Sequence, residues 1–304
     1  MQATATVTGE KSAAEERSRS QFSRPARAFL RNPAAIGAVL VLLVFIAAAV
    51  FAPYVAPHDP YTMHLGATFL PVGSPDHLLG TDNFGRDILS RLIFGARISL
   101  LIGVVVVSIA ALVGSVLGLL AGYYGGWVDQ LVMRLVEVFY AFPFLILAIA
   151  VMAILGPSIF NVMWVLGLVS WPLYARLVRA TVLALRTQEF VESARAAGAG
   201  DLRIMFRHIL PNSLTPVIVT AALGIPEAIL ASASLGFLGL GVRPPTPEWG
   251  MMVAEGKDFM LRSPWLITGP GVCIAAVMLS FNLAGDALRD ALNPRIQGQT
   301  KVEG

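Results

Sequence analysis

The sequence predicts an all-α membrane protein with six spanning helices and both termini in the cytoplasm. Three observations predict it. Of the 304 residues 56% are hydrophobic and only 13% are charged, against about 25% charged in an ordinary soluble domain. The apolar residues are blocked into long runs instead of recurring at periods of 2 or 3.6, and mean hydropathy is +0.71. The positive charges, finally, are distributed unevenly between alternate loops.

Residues 1–31 are polar, with no apolar stripe able to bury surface, and read as a disordered cytoplasmic tail ending in Arg24, Arg27 and Arg31. The polar stretch is too long, and the apolar run after it too extended, for a signal peptide, so an uncleaved anchor is expected. Apolar runs follow at 34–52, 98–121, 131–155, 158–175, 214–235 and 265–284. The shortest is about 18 residues, roughly 27 Å of helix, enough to cross a hydrocarbon layer of about 30 Å. Gly156-Pro157 separates the third and fourth as a tight hairpin.

With the N-terminus inside, the inner segments hold most of the 22 Lys and Arg: six in the tail, Arg134, six from Arg176 to Arg207, and three after the last run. The outer loops hold Arg86, Arg91, Arg97, Arg243, Lys257 and Arg262. That bias gives an N-in, C-in topology. The chain then divides into the tail 1–31, a first span with its outer loop at 32–97, a core at 98–285 and a C-terminal tail at 286–304. The core includes an inner loop at 176–213. The single Cys273 lies in an apolar run, so no disulfide or cysteine metal site forms within one chain. The net charge of +3 reflects this topology and not a nucleic-acid surface.

In the inner loop, residues 189–197 favour a helix, Gly198 and Gly200 supply a stop, and a second helical piece at 201–209 starts at Asp201 as N-cap and ends at Leu210-Pro211. In the outer loop, Thr81 or Asp82 caps a helix in which Asp82–Arg86 and Asp87–Arg91 are i,i+4 pairs. Ile88, Leu89, Leu92 and Ile93 form its apolar face, so it should lie along the membrane surface before the second span. Residues 235–252 form a proline-stiffened outer loop in which Trp249 is a natural interface anchor. His58, His64 and His77 share the first outer loop at irregular spacing and read as surface histidines, with no metal site expected.

Three strings carry a resemblance. Glu192-Ser193-Ala194, Gly198 and Ile209-Leu210-Pro211 resemble the EAA loop of ABC importer permeases, with Ser193 in place of the middle Ala and His208 at the usual Ile position. The string from Leu79 to Leu100, LGTDNFGRDILSRLIFGARISL, and the run from Leu235 through Pro244-Pro245-Thr246-Pro247-Glu248-Trp249-Gly250 resemble the C-type permease subunits of dipeptide and oligopeptide ABC importers. The resemblance implies that Glu189, Glu192, Ser193, Ala194, Ala197, Gly198, Asp201, Leu210 and Pro211 form a coupling surface for an ATPase. It implies a second homologous permease, two ATPase subunits carrying ATP and Mg, and an extracytoplasmic peptide-binding protein, all at a bacterial inner membrane. The outer stretches with Asp82, Arg86, Asp87, Arg91 and Trp249 would face that binding protein, or serve as a stiff structural cap over the channel mouth. Dipeptides, longer peptides, nickel complexes and glutathione all remain open as cargo.

The family's Glu before Ala-Ser-Leu in the fifth span is Ser232 here, and Glu227 stands five residues earlier beside Pro226. Ser232 and Glu227 are therefore the candidate pathway residues. An acid exposed at the bilayer centre costs at least about 2.5–3.5 kcal/mol, so Glu227 should face protein or a water-filled path, either meeting a peptide amine or sitting protonated or locally paired near the proline kink. No GxxxxGK[ST] phosphate loop, HExxH or GxSxG string occurs. The nearest approach to a phosphate loop, Gly250 to Asp258, has the wrong spacing and no hydroxyl, so ATP chemistry must belong to partners and the chain carries no catalytic residue. The alternative is a self-contained ion-coupled transporter, for which Glu227 is the one qualifying intramembrane acid.

Overall fold

The computed structural model describes residues 32–292, and the expected tail at 1–31 and the part of the expected tail 286–304 beyond residue 292 lie outside them. The described chain is helical, with no extended strand. Helix α1 (Pro33–Val50) begins at Asn32, whose side chain accepts from the Ala34 and Ala35 amides, with Pro33 in the first turn where no donor is needed. A single turn, α2 (Ala52–Val55), leads into the long loop before residue 88. Then come α3 (Ile88–Tyr124), α4 (Gly126–Tyr140), α5 (Phe144–Leu155) and α6 (Ile159–Leu185). Two short helices, α7 (Glu189–Ala196) and α8 (Asp201–Arg203), a π-helical stretch (Ile204–Ile209) and α9 (Leu210–Phe237) follow. The order closes with α10 (Trp249–Gly256) and α11 (Trp265–Leu292).

Five helical stretches among the described residues are individually long and apolar enough to span a membrane, and α4 and α5, bent by 87°, are so only when taken together. The bend falls at Ala141-Phe142-Pro143. Pro143 has no amide to donate and its ring clashes with the preceding turn, so α5 restarts after it. The third apolar run of the sequence is thus two helices.

The most extensive pairing is between α3 and α6. Gly114, Gly118 and Gly122, one turn apart along α3, let the backbones touch. A Cβ at Gly114 would come within 2.5 Å of the Trp171 carbonyl oxygen, and one at Gly122 within 2.8 Å of Val182 Cβ. In lipid, where apolar burial gives helices little reason to associate, such small-residue seams supply the van der Waals contact. The core around this seam includes Val106, Ala110, Leu166, Tyr174 and Val178, and a second cluster joins α1, α3, α10 and α11 through Leu42, Leu92, Trp249 and Val277. Large apolar residues such as Leu40, Leu43 and Val44 on α1 and Leu112 on α3 face outward, as a lipid surface requires.

Three expectations need correction. The helix expected to lie along the membrane surface is the start of α3 itself, because nothing interrupts hydrogen bonding between Ile88 and Tyr124, and Ile88 and Leu92 are buried in the bundle. The inner piece does not end at Leu210-Pro211. Pro211 sits in the first turn of α9, and the π-helical stretch before it joins α8 to α9 in one helical run from Asp201 to Phe237. The segment expected as a tail from 286 continues α11 as far as Leu292.

Candidate functional sites at the two ends and the centre of the bundle

One end of the bundle carries the elbow around α7. The helix is anchored by Val191, which is fully buried, while Glu189, Phe190, Glu192, Ser193, Arg195, Ala196 and Ala197 are exposed. Ala194 is half-buried against the core. Gly198 ends the helix with φ +81°, and its amide donates to the Arg195 carbonyl while the Ala199 amide donates to that of Ala194, both at 3.0 Å. This paired pattern with a left-handed residue is the Schellman stop, and it favours glycine because a side chain is strained at that φ. Asp201 is exposed and lies in the first turn of α8; Gly200, not Asp201, is the cap residue. The Asp201 carboxylate instead accepts from the Tyr123 hydroxyl at 2.7 Å, tying the elbow to the end of α3. Arg186 donates to the Gly122 carbonyl at 3.1 Å, and Arg179 pairs with Asp129 on α4, with Nη2 to Oδ2 at 2.6 Å. Beside α7, Leu202 and Phe206 are exposed, Leu210 is half-buried and Pro211 is exposed, so the elbow presents apolar as well as charged surface.

The opposite end is built differently. Asp82 does not start a helix: its Oδ1 accepts from the Phe84 and Arg86 amides, closing a turn in which Gly85 has φ +73° and lies against the His64 carbonyl with no room for a Cβ. Arg86 Nε donates to Asp82 Oδ2 at 2.6 Å and its Nη2 reaches Glu255 on α10 at 3.2 Å. Arg91 Nη2 donates to the same Glu255 carboxylate at 2.7 Å, its Nε stands 3.6 Å from Asp82, and its Nη1 reaches the Pro60 and Pro245 carbonyls. Both arginines are 1% exposed.

The expected Asp87–Arg91 pair does not form. Asp87 is the N-cap of α3 and turns its Oδ2 to the Ser90 amide and hydroxyl at 2.8 and 2.7 Å, while Arg91 turns toward Glu255. On its other side Asp87 Oδ1 accepts from His77 at 2.9 Å, with His58 3.8 Å away.

Trp249, expected at the membrane interface, is fully buried. Its Nε1 donates to the Leu92 carbonyl at 3.1 Å, and its ring meets Phe45 edge-on at 5.7 Å. Glu248 caps α10, accepting from the Gly250 and Met251 amides and from the Ser99 hydroxyl. Burial pushes its carboxyl above the ordinary carboxylate range against the pull of those donors.

Between the two ends lies a cavity of about 430 Å³ bounded by α3, α4, α5, α6 and α9. Its wall is apolar apart from Tyr140, Ser170, Tyr174, Ser234 and Glu227, and Glu227 is the one charged group among its lining residues. Ser232 is not on that wall: it is 1% exposed, and its hydroxyl has no partner. Sequence reasoning missed Glu255 and Glu248 and the convergence of His58 and His77. The glycine spacing of α3 was a missed signal visible in the string.

Residues 114–298 match the family of binding-protein-dependent transport system inner membrane components, and residues 20–71 match the N-terminal transmembrane domain of oligopeptide transport permease C. The chain is 46% identical over 267 residues to the dipeptide transport system permease protein DppC of Alkalihalophilus pseudofirmus, covering 88% of each. It is 46% identical to the di/tripeptide permease DppC of Pseudomonas aeruginosa, covering 89% of this chain and 91% of that one. The glutathione transport system permease protein GsiD of Pectobacterium atrosepticum is 44% identical, with 89% and 90% covered. Among solved structures, an inward-facing form of the MetNI methionine ABC transporter superposes with a TM-score of 0.53 at 20% identity, covering 67% of this chain and 97% of that one, a likeness of fold. The chain belongs to the binding-protein-dependent transport system inner membrane components, as a multi-pass permease with the N-terminal segment of the oligopeptide C type.

Proposed function

We propose that the chain forms one half of the translocation pathway of an ATP-driven peptide importer. A second, homologous permease supplies the other half. Two ATPase subunits holding ATP and Mg grip the elbow of α7 and α8 from the cytoplasm, and a peptide-binding protein delivers cargo to the outer end. The names of its relatives support a small peptide as cargo, and the positive charge around Arg176 to Arg207 supports a cytoplasmic elbow.

The observation that carries this reading is the bare surface of α7. A short helix held by one buried valine, stopped by a Schellman glycine and otherwise exposed, is shaped to enter a cleft of another protein. Closure of the ATPases on ATP would move that helix as a rigid body. The Tyr123–Asp201 and Arg186–Gly122 contacts would pass the movement to α3, and the α3–α6 seam would tilt as a unit, giving alternating access. The chain itself breaks no covalent bond. Peptide passing the central cavity would meet Glu227 with its ammonium group.

The test is Gly198→Arg. Purified by affinity from a complete extract, the wild-type chain should bring an ATPase with it, and cells should take up labelled dipeptide. The variant should insert at normal levels, lose the ATPase and abolish uptake. Normal uptake by the variant would count against docking through this elbow, and uptake that survives ATP depletion but collapses with an ionophore would favour an ion-coupled transporter.

A further inference from the structure

His58, His77 and Asp87 come from three separate places in the outer end: the stretch after α2, the turn before Gly80 and the cap of α3. A ring nitrogen of each histidine and a carboxylate oxygen of Asp87 lie within 4.8 Å of one another. The arrangement is held from behind. Ser90 takes Asp87 Oδ2 with both its amide and its hydroxyl, which leaves Oδ1 turned to the imidazoles. The Ser90 Oγ also accepts the His58 amide at 3.0 Å, and Asp59 fixes the next turn by accepting from the Tyr61 amide at 2.7 Å. The two imidazole rings stack with centroids 4.8 Å apart.

One atom in this group is left over. His58 Nδ1 is shielded from solvent and has no hydrogen-bond partner, although it points to the face where Asp87 Oδ1 already accepts from His77. A buried polar atom without a partner is costly, and native structures normally supply one. A cation meets the demand of all three groups at once, since both imidazole lone pairs and the free carboxylate oxygen are donors to a metal.

We propose that His58, His77 and Asp87 bind a divalent transition-metal ion of the zinc class. Two imidazoles and one carboxylate suit zinc and its neighbours, whereas calcium and magnesium favour all-oxygen sets. Metal–ligand lengths of about 2.0–2.2 Å bring tetrahedral ligand atoms to about 3.3 Å apart. His77 and Asp87 are already at 2.9 Å, and the ring of His58, 36% exposed, supplies the movement. The ion replaces the proton shared by His77 and Asp87 and leaves a fourth position for water. Its effect is to pin the outer loop from His58 to His77 onto the first turn of α3, adding to the contact that Arg91 already makes with the Pro60 carbonyl.

The experiment uses the full chain without a histidine tag, stripped with a chelator and titrated with zinc by calorimetry, with magnesium as the comparison ion. Wild type should bind one equivalent of zinc, saturably, and raise its melting temperature, with no response to magnesium. His58→Ala should weaken binding by at least about tenfold and remove the thermal shift. Its metal-free melting temperature should stay close to that of metal-free wild type, because the lost ring contact with His77 is set against the removal of the unpartnered Nδ1. His64→Ala should bind as wild type does. An unchanged isotherm in His58→Ala, or a wild-type isotherm that fails to saturate at one equivalent, overturns the proposal.

Discussion

The two ends of this bundle use charge in opposite ways. At the end opposite the elbow, Asp82, Arg86, Arg91 and Glu255 are withdrawn from solvent and answered within the chain, with both arginines 1% exposed. At the elbow, Glu189, Glu192 and Arg195 stand in the open on a helix with one buried residue. Charges of the first kind lock the loops over the helix ends. Those of the second kind contribute little to the fold and are free to meet another protein. The comparison separates a structural cap from a docking surface, although both strings look equally charged in sequence.

The largest effect should come from breaking the buried network. Glu255 receives both guanidinium groups, so Glu255→Ala leaves two buried cations without their shared partner. Removing one side of a buried ion pair costs about 3–5 kcal/mol, and membrane yield and thermal stability should fall accordingly. A variant that inserts and melts like wild type would show that water reaches these arginines and would erase the contrast between the two ends.

Glu227 sharpens the comparison from the middle. It neither belongs to a buried network nor sits on an end surface, but opens on the central cavity as its one charged lining group. Glu227→Gln should reduce uptake of a zwitterionic dipeptide by about tenfold, the worth of one charge-assisted hydrogen bond. An N-acetylated dipeptide, which lacks the ammonium, should be transported equally by both forms. Equal loss for both peptides would make Glu227 a structural residue like those of the buried Arg86–Arg91 network.

How much of this was legible in the string depends on the range of the interaction. The spans were legible because a bilayer demands unbroken apolar length, and the Gly198 stop was legible because a helix end is decided within a few residues. Of the charges at the other end, only the Asp82–Arg86 pair was legible, and it forms at 2.6 Å. Asp82, Arg86, Asp87 and Arg91 read as i,i+4 pairs of one helix, but Glu255, 164 positions after Arg91, draws that arginine away and leaves Asp87 free to cap α3. Trp249 read as an anchor for the same reason: its burial depends on Leu92 and Phe45, which no local pattern links to it. Ser232, placed on the pathway by motif position alone, is turned into the bundle. The bend at Pro143 was legible in principle, since a proline between two apolar helices leaves the chain few ways to stay straight.

The smallest effect on stability, and the most informative one, belongs to the elbow itself. Glu192 and Arg195 are exposed, and among the described residues the one polar neighbour of the Arg195 side chain is the Tyr123 hydroxyl at the end of α3. Replacing both by Ala removes no buried contact and places the best helix former in α7, so stability should change by no more than about 0.5 kcal/mol. If these side chains matter only to a docked ATPase, the double variant should melt like wild type while its co-purification with the ATPase weakens, more so at high salt, where exposed charge pairs are screened. The same salt series on wild type supplies the scale. A double variant that keeps its ATPase at every salt concentration would move the docking energy onto Phe190, Leu202 and Phe206, the apolar part of the same surface. The elbow would then be a hydrophobic plug with charges around its rim, and Phe190→Ala would be the substitution that releases the partner.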